Sequence, residues 1–205
     1  MRKEQPPSVA RALAKAYARL RYDIVCLTPG ERAWLEAARA GQAPGTLVIS
    51  DVAQTKIMTR GDFKTGFVIF PGLADPYGLP DQGALKAVTR AAKDLRPKVD
   101  MVVGLSSWGQ KGEYQLFGQG PAKFDAVLGS GPAMNWGHRP MAGNQTLWVR
   151  PEFDGRSIQR VEILAKPGQG PSWQWKEGEN FRVINLPLDK NVPHDMKIVN
   201  IFRWM

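Results

Sequence analysis

DQGALKAVTRAAKDLRPKVDMVVGLSSWG, residues 81–109, decides the fold class of this 205-residue chain. Asp81 stands where a helix N-cap belongs, with a carboxylate that can accept hydrogen bonds from the first-turn amides. Leu85, Val88 and Leu95 follow at helical spacing and make one apolar face. Residues 100–105 are then a short apolar run bounded by loop residues, which reads as a buried strand. A helix leading into a buried strand is the rhythm of an α/β sheet.

The rhythm extends outward on both sides. Upstream, Ser8 is placed to cap a helix over 8–21, with Val9, Leu13, Tyr17 and Leu20 on one stripe. Residues 22–27 and 46–50 read as strands, and Thr28, Pro29 and Gly30 separate the first from a helix over 31–40 with Trp34 and Leu35 inward. Residues 56–59 and 67–70 read as a strand pair around Arg60, Gly61 and Asp62, a turn that also spells an integrin-type tripeptide. Residues 71–80 are a Pro/Gly-rich loop. Downstream, 124–128 is another strand. After Gly143 three strands, 146–150, 158–164 and 181–186, follow without helices between them, and a short helix closes the chain over 195–204. The expectation is an α/β core with a mainly antiparallel C-terminal extension, an α+β sandwich in a single domain over 1–205.

Composition narrows the chemistry. Hydrophobic residues at 43% and charged residues at 23% describe a folded chain rather than a disordered one. No apolar run is long enough to span a bilayer, and the basic N-terminus lacks the apolar stretch of a signal peptide. The single cysteine, Cys26, excludes an internal disulfide and reads as a buried thiol inside an apolar strand. The two histidines, His138 and His194, have no ligand partner three or four residues away, so neither zinc nor di-iron sites of the usual kind can form. No metal site and no cofactor is expected; carboxylates alone are the one ligand set left for Mg²⁺ or Ca²⁺, and no Asp-rich loop of the EF-hand type is present. The net charge of +9 is partly concentrated in Arg2, Lys3, Arg11, Lys15, Arg19 and Arg21. Nucleic acid would exploit it, but without a recognition motif the reading taken is a solvated helix face.

The order of segments resembles the catalytic domain of the 5′-nucleotidase/UDP-sugar hydrolase branch of the calcineurin-like metallophosphoesterases. Residues 22–31 resemble that family's Tyr-Asp-Ala-Val-Ala-Leu followed by Gly-Asn-His-Glu. Residues 46–52 resemble its next strand, and 62–73 its strand pair leading to a Gly-Leu turn. Residues 100–109 resemble the stretch ending Ser-His-x-Gly, and 124–133 resemble Ile-Asp-x-Ile-x-Gly-Gly-His-x-His. Residues 144–164 and 181–195 resemble its closing strands. The resemblance implies a layered metallophosphoesterase-like sheet core, without the family's C-terminal nucleotidase domain.

The departures from that pattern bear on function. The family's chemistry uses two divalent metals held by Asp, His and Asn at strand ends. Here Thr28, Pro29, Gly30 and Glu31 stand at Gly-Asn-His-Glu, so only the Glu is kept. Ser106, Ser107, Trp108 and Gly109 stand at Ser-His-x-Gly, and Gly129, Ser130, Gly131, Pro132 and Ala133 at Gly-Gly-His-x-His. The family's first strand, with its Asp-x-His and Gly-Asp motifs, has no counterpart. The resemblance therefore implies a degenerate, N-terminally shortened relative: a non-catalytic binding or assembly module with no catalytic residues. The alternative is a phosphate-ester hydrolase completed by a partner or an upstream segment. The missing strand implies a protein partner or oligomer covering the sheet. By resemblance the compartment is the periplasm; the lack of a visible signal peptide leaves the cytoplasm as the alternative.

Candidate ligand residues follow from position. Ser106, Ser107, Trp108 and Glu113 lie after the end of a predicted parallel strand, where open α/β sheets dock ligands. Trp108 offers a ring for a flat ligand, or else fills the emptied cleft. Gly129, Ser130 and Gly131 offer backbone amides to an anion, or else form a plain turn. Glu31 is either a retained site carboxylate or a helix N-terminal one. Trp173 and Trp175 alternate along one predicted strand face, either packed on the sheet or exposed to a partner.

Overall fold

The computed structural model describes residues 6–203 except 42, 76, 121, 122, 135, 153, 154 and 169–171. Contacts group the chain into two compact units, Asp51–Asp189 and a smaller one made of Met1–Ser50 with Lys190–Met205.

The larger unit is built on a mixed six-stranded sheet. Strands β3 (Gln54–Arg60) and β4 (Phe63–Ile69) form a hairpin in which Arg60 pairs with Phe63, turned by Gly61 at φ +56 and Asp62. A tight turn of that kind favours glycine in the left-handed region. Helix α3 (Gln82–Leu95) returns the chain to β5 (Met101–Ser106), parallel to β4. Asp81 caps α3 as its position predicts, accepting from the Ala84 amide at 2.7 Å, and Leu85, Val88, Ala92 and Leu95 are its buried face. Helix α4 (Gly109–Phe117) leads to β6 (Ala126–Gly129), parallel to β5. Then β7 (Gly137–Met141) turns into β8 (Thr146–Arg150), which pairs parallel to β6 and antiparallel to β7. The strand order is β3-β4-β5-β6-β8-β7.

Alternate residues of the sheet face opposite layers, as the two-residue period of a strand requires. Val68, Val102, Val127 and Trp148 face α3 and α4, meeting Leu85, Val88, Trp108 and Leu116 in one core. Met101, Val103, Ala126, Leu147 and Val149 face a second core with Trp175 and Phe181. That side is covered by a separate hairpin, β9 (Ser157–Ile163) with β10 (Phe181–Pro187), through Val161, Ile163 and Val183. The result is a mixed α/β arrangement of helices, sheet and hairpin. The expected three-strand C-terminal extension is corrected in one respect. Its first strand, β8, belongs to the main sheet, and all five of its residues are buried, as for a strand covered on both faces.

In the smaller unit, α1 (Pro7–Leu20), β1 (Val25–Leu27), α2 (Pro29–Ala37) and β2 (Thr46–Val48) are joined by a C-terminal helix, α5 (Met196–Phe202). β1 and β2 pair in parallel as a two-stranded sheet of their own. Helix α1 starts earlier than its expected Ser8 cap, with Pro6 as N-cap and proline at its first position. Its buried positions are Ala10, Ala12, Ala14 and Ala16 rather than the larger residues at helical spacing, and Leu20 is 48% exposed. Ala10 and Ala14 pack with Leu27, Leu35 and Ala38, and α5 also contacts α1. Small side chains permit that close approach of neighbouring elements. Arg21, in the left-handed region at φ 51, ends the helix, and the expected strand over 22–27 is reduced to β1. Cys26 is half-buried there rather than fully enclosed.

Candidate functional site at the strand tips

Strand β5 delivers Ser106 and β6 delivers Gly129 side by side, since the two residues are register partners. The loops that follow are tied together. The Ser130 amide donates to Ser106 O at 2.7 Å and its hydroxyl to the same oxygen at 3.0 Å. The Gly109 amide donates to Ser130 O at 3.2 Å and the Gln110 amide to Pro132 O at 2.9 Å. Two early amides of α4, which a helix leaves without internal partners, are thus met by carbonyls of the neighbouring loop. Gly109 and Gly131 have φ +74 and +79, and a Cβ on either would stand 2.6 Å from a carbonyl oxygen of the opposite loop. The amide of Ser130 is therefore occupied, and the expectation that this turn offers it to an anion is corrected: the loop's carbonyls face a cation instead.

That cation is Arg150, at the end of β8. Its Nη2 donates to Ser130 O and Gly131 O, each at 2.8 Å, and its Nη1 to Glu113 Oε2 at 2.6 Å. Trp148 Nε1, two residues earlier on the same strand face, donates to the same Glu113 oxygen at 2.7 Å. Glu113 reaches this place from the first turns of α4 and is 0% exposed. Gly129 makes the arrangement possible, because a Cβ there would lie 2.6 Å from both Glu113 carboxylate oxygens and 2.7 Å from Arg150 Nη1. Burial pushes the Glu113 carboxyl above its ordinary range, outweighing the attraction of Arg150 and the hydrogen bonds from Trp148 and Arg150. Ser106 adds a minor downward pull, although Glu113 Oε1 has no well-aligned hydrogen bond among the described residues.

Trp108 is 1% exposed, donates its indole N–H to Pro71 O at 2.6 Å and packs on Phe70 with ring centroids 4.6 Å apart. Its ring has no free face, so the flat-ligand expectation is corrected to core packing. Ser106 is buried and accepts from the Trp108 amide at 3.2 Å; Ser107 is half-buried. The structure thus brings Ser106, Glu113, Gly129, Ser130 and Gly131 into one cluster. Glu31 belongs to the smaller unit, where it completes a capping box: the Thr28 hydroxyl accepts from the Glu31 amide at 3.2 Å, and the Thr28 amide donates to Glu31 Oε2 at 2.8 Å.

No family model and no curated protein matches the chain. Among solved structures it is similar to a hypothetical protein from Thermus thermophilus, with 17% sequence identity, 71% of each chain covered and a TM-score of 0.38. A likeness that low carries no statement about family or activity.

The partner-facing reading of Trp173 and Trp175 is also corrected. Trp175 is 2% exposed, donates its indole N–H to Asp125 O at 2.7 Å and meets Phe181 edge-on, while Trp173 packs on Trp175. Both rings lie in the core between sheet and hairpin, where a large apolar surface is best removed from water. His138 pairs with Glu177 at 3.1 Å, and His194 is exposed. Among the described residues, no three His, Cys, Asp or Glu side chains come together as a cation site. An open groove beyond the end of β4 is lined by Asp51, Asp75, Asp81, Gly72 and Leu79 among others. Asp75 accepts from the Tyr77 amide at 2.9 Å and Asp81 caps α3, so two of its carboxylates serve turns.

Arg150 and Trp148 were not singled out by sequence reasoning. One signal was available: an arginine closing an otherwise apolar, β-rich pentapeptide, TLWVR, which asks for a buried counter-charge.

Proposed function

We propose that this chain is a non-catalytic binding or assembly module on a metallophosphoesterase-like scaffold of the 5′-nucleotidase type. The observation that carries this reading is the plug at the strand tips. Where an α/β sheet ordinarily receives a ligand, Trp108, Glu113, Trp148 and Arg150 are buried on one another or on neighbouring backbone, the first, third and fourth giving hydrogen bonds at 2.6–2.8 Å. A serine nucleophile needs a base within reach. The described partners of Ser106 and Ser130 are backbone groups and Glu113, while His138 is engaged with Glu177.

Surface remains for recognition. On the outer face of the β9–β10 hairpin, Ile158 and Leu186 are register partners, 51% and 39% exposed, and Leu188 beside them is 45% exposed. Grouped apolar exposure of this kind is a feature of protein contact surfaces. The test is twofold. Purified protein, supplied with Mn²⁺, Mg²⁺ or Zn²⁺, is expected to hydrolyse neither nitrophenyl phosphate nor nucleotides. Metal-dependent turnover that co-purifies with the chain and is abolished by Glu113→Gln would overturn the reading. Light scattering is expected to show self-association, or capture of a partner, that Ile158→Lys/Leu186→Lys removes.

A further inference from the structure

We infer that two copies of this chain associate through the free edge of β9, antiparallel about Val161, so that Arg160 of each copy lies opposite Glu162 of the other. The inference rests on the reading of the β9–β10 hairpin as a contact surface and names a second copy as its occupant. The hairpin is a two-stranded sheet of its own, so among the described residues β9 has β10 on one side and no strand on the other. Backbone groups point alternately to the two sides of an antiparallel strand. The Leu164 amide donates to Asn180 O at 2.9 Å and the Leu188 amide to Arg156 O at 2.7 Å, both in the hairpin register. The even-numbered residues of β9 therefore direct their backbone groups at β10. Gln159, Val161 and Ile163 direct theirs outward, and among the described residues no hydrogen bond meets them there. A seven-residue edge without proline is a template for another strand.

The side chains choose the partner, because β9 is complementary to itself. In an antiparallel pair centred on Val161, the outward backbone groups meet in register, Val161 with Val161 and Gln159 with Ile163. Between them fall Arg160 with Glu162 and Ile158 with Leu164, at the non-hydrogen-bonded positions where facing side chains come closest. Both of these pairs lie on the outer face: Ile158 is 51% and Leu164 46% exposed. Within one copy Arg160 already reaches Glu162 at 2.7 Å along the strand, and across the edge each charge gains an opposite one directly facing it. The adjacent registers that keep the same backbone bonds centre on Arg160 or on Glu162, and they set like charges against each other, which is unfavourable. The edge of β10 has no such symmetry. Arg182 is its one charged residue, and Pro187 has no amide proton to donate. A foreign strand would have to reproduce this order of charge, whereas a second copy carries it already.

The experiment is sedimentation equilibrium of the whole chain over a range of concentrations, and a monomer–dimer equilibrium is expected. Arg160→Glu alone and Glu162→Arg alone each set like charges at both facing positions, and each is expected to weaken the dimer by more than about tenfold. Mixing the two single variants sets opposite charges at both positions again. The mixture is expected to form a heterodimer within about twofold of the wild-type dissociation constant. Recovery on mixing also shows that each variant is folded. Leu186→Lys, on β10 and away from the edge, is expected to leave the dimer within about twofold. Three outcomes overturn the inference: a monomer at every concentration, a dimer indifferent to Arg160→Glu, or single variants that stay monomeric when mixed. The assay separates this inference from the reading it rests on. A monomer without phosphatase activity that captures a different protein through Ile158 removes the second copy and leaves the binding module. Metal-dependent turnover by a chain that dimerises through β9 does the reverse.

Discussion

Arg150 and Glu113, 37 residues apart in sequence, form an ion pair of 2.6 Å whose side chains are 3% and 0% exposed. It sits directly over the backbone of Gly129, on a central strand between those that carry Arg150 and Ser106. Two opposite charges taken so far from water are held by geometry: each costs several kcal/mol to desolvate, and only the partner and its hydrogen bonds offset that.

Removing one partner is therefore expected to be worse than removing both. Glu113→Ala should destabilise the larger unit by about 3–5 kcal/mol, because Arg150 is left charged and enclosed. Replacing both with apolar residues of similar volume, Glu113→Leu with Arg150→Met, should recover most of that loss. A double-mutant cycle by urea denaturation reads the coupling. Additive losses would mean that the two charges do not depend on each other.

Gly129 gives a sharper steric test. A methyl group there would overlap the pair, so the Glu113 carboxylate and the Arg150 guanidinium would have to shift out of their buried hydrogen bonds. Gly129→Ala should lose about 1–3 kcal/mol or more, as overpacked interiors do. Gly118→Ala, at the end of α4, where a Cβ would meet nothing closer than 3.5 Å, serves as the comparison and should be near neutral. Equal melting temperatures for the two variants would contradict the close approach.

The cap of α2 is a local and separable contribution. Thr28→Ala removes the hydroxyl that accepts from the Glu31 amide and leaves the Glu31 carboxylate with only one half of the capping box. A loss of about 1 kcal/mol is expected from the smaller unit, read by chemical denaturation. Thr28→Ser should restore it.

What sequence reading reaches here is the part of the fold written in local pattern. Asp81 at its cap, the spacing of Leu85 and Val88, and the apolar run of β5 each name their element without help from elsewhere. The edge strand β7 escapes because Gly137, Arg139 and Pro140 break any alternation. An edge needs no buried pattern on both sides, and pairing with β8 alone supplies its order. Helix α4 escapes because Gly109 and Gly112 lower its intrinsic preference, and packing overrides propensity. A Cβ on Gly112 would stand 2.8 Å from the Trp108 side chain and 3.0 Å from Pro80, so the glycine is what lets the helix dock. The plug escapes for a third reason. Ser106, Glu113 and Gly129 are visible as positions, but their counter-charge arrives from β8, and nothing in local spacing connects Glu113 to Arg150.

Asp125 and Asp100 should respond to acid with opposite sign. Burial holds the Asp125 carboxyl above its ordinary value of 3.8, outweighing the Arg96 hydrogen bond at 2.6 Å and the Val102 amide at 2.6 Å. The folded chain then binds that proton more tightly than the unfolded chain. Asp125 accordingly contributes most below its unfolded value, and its contribution is lost as pH rises through the higher folded value. Asp100 is the reverse case. Lys166, chiefly, and the Lys64 amide hold it below 3.8, so its contribution is present above the unfolded value and is lost as pH falls through the folded one. Urea denaturation of wild type, Asp125→Asn and Asp100→Asn across the acid range separates the two. Between neutral pH and the ordinary value of 3.8, the stability of wild type relative to Asp125→Asn should move in favour of wild type as pH falls. Relative to Asp100→Asn it should hold steady until pH drops below 3.8 and then decline. Parallel curves for the two variants would show that burial does not govern Asp125.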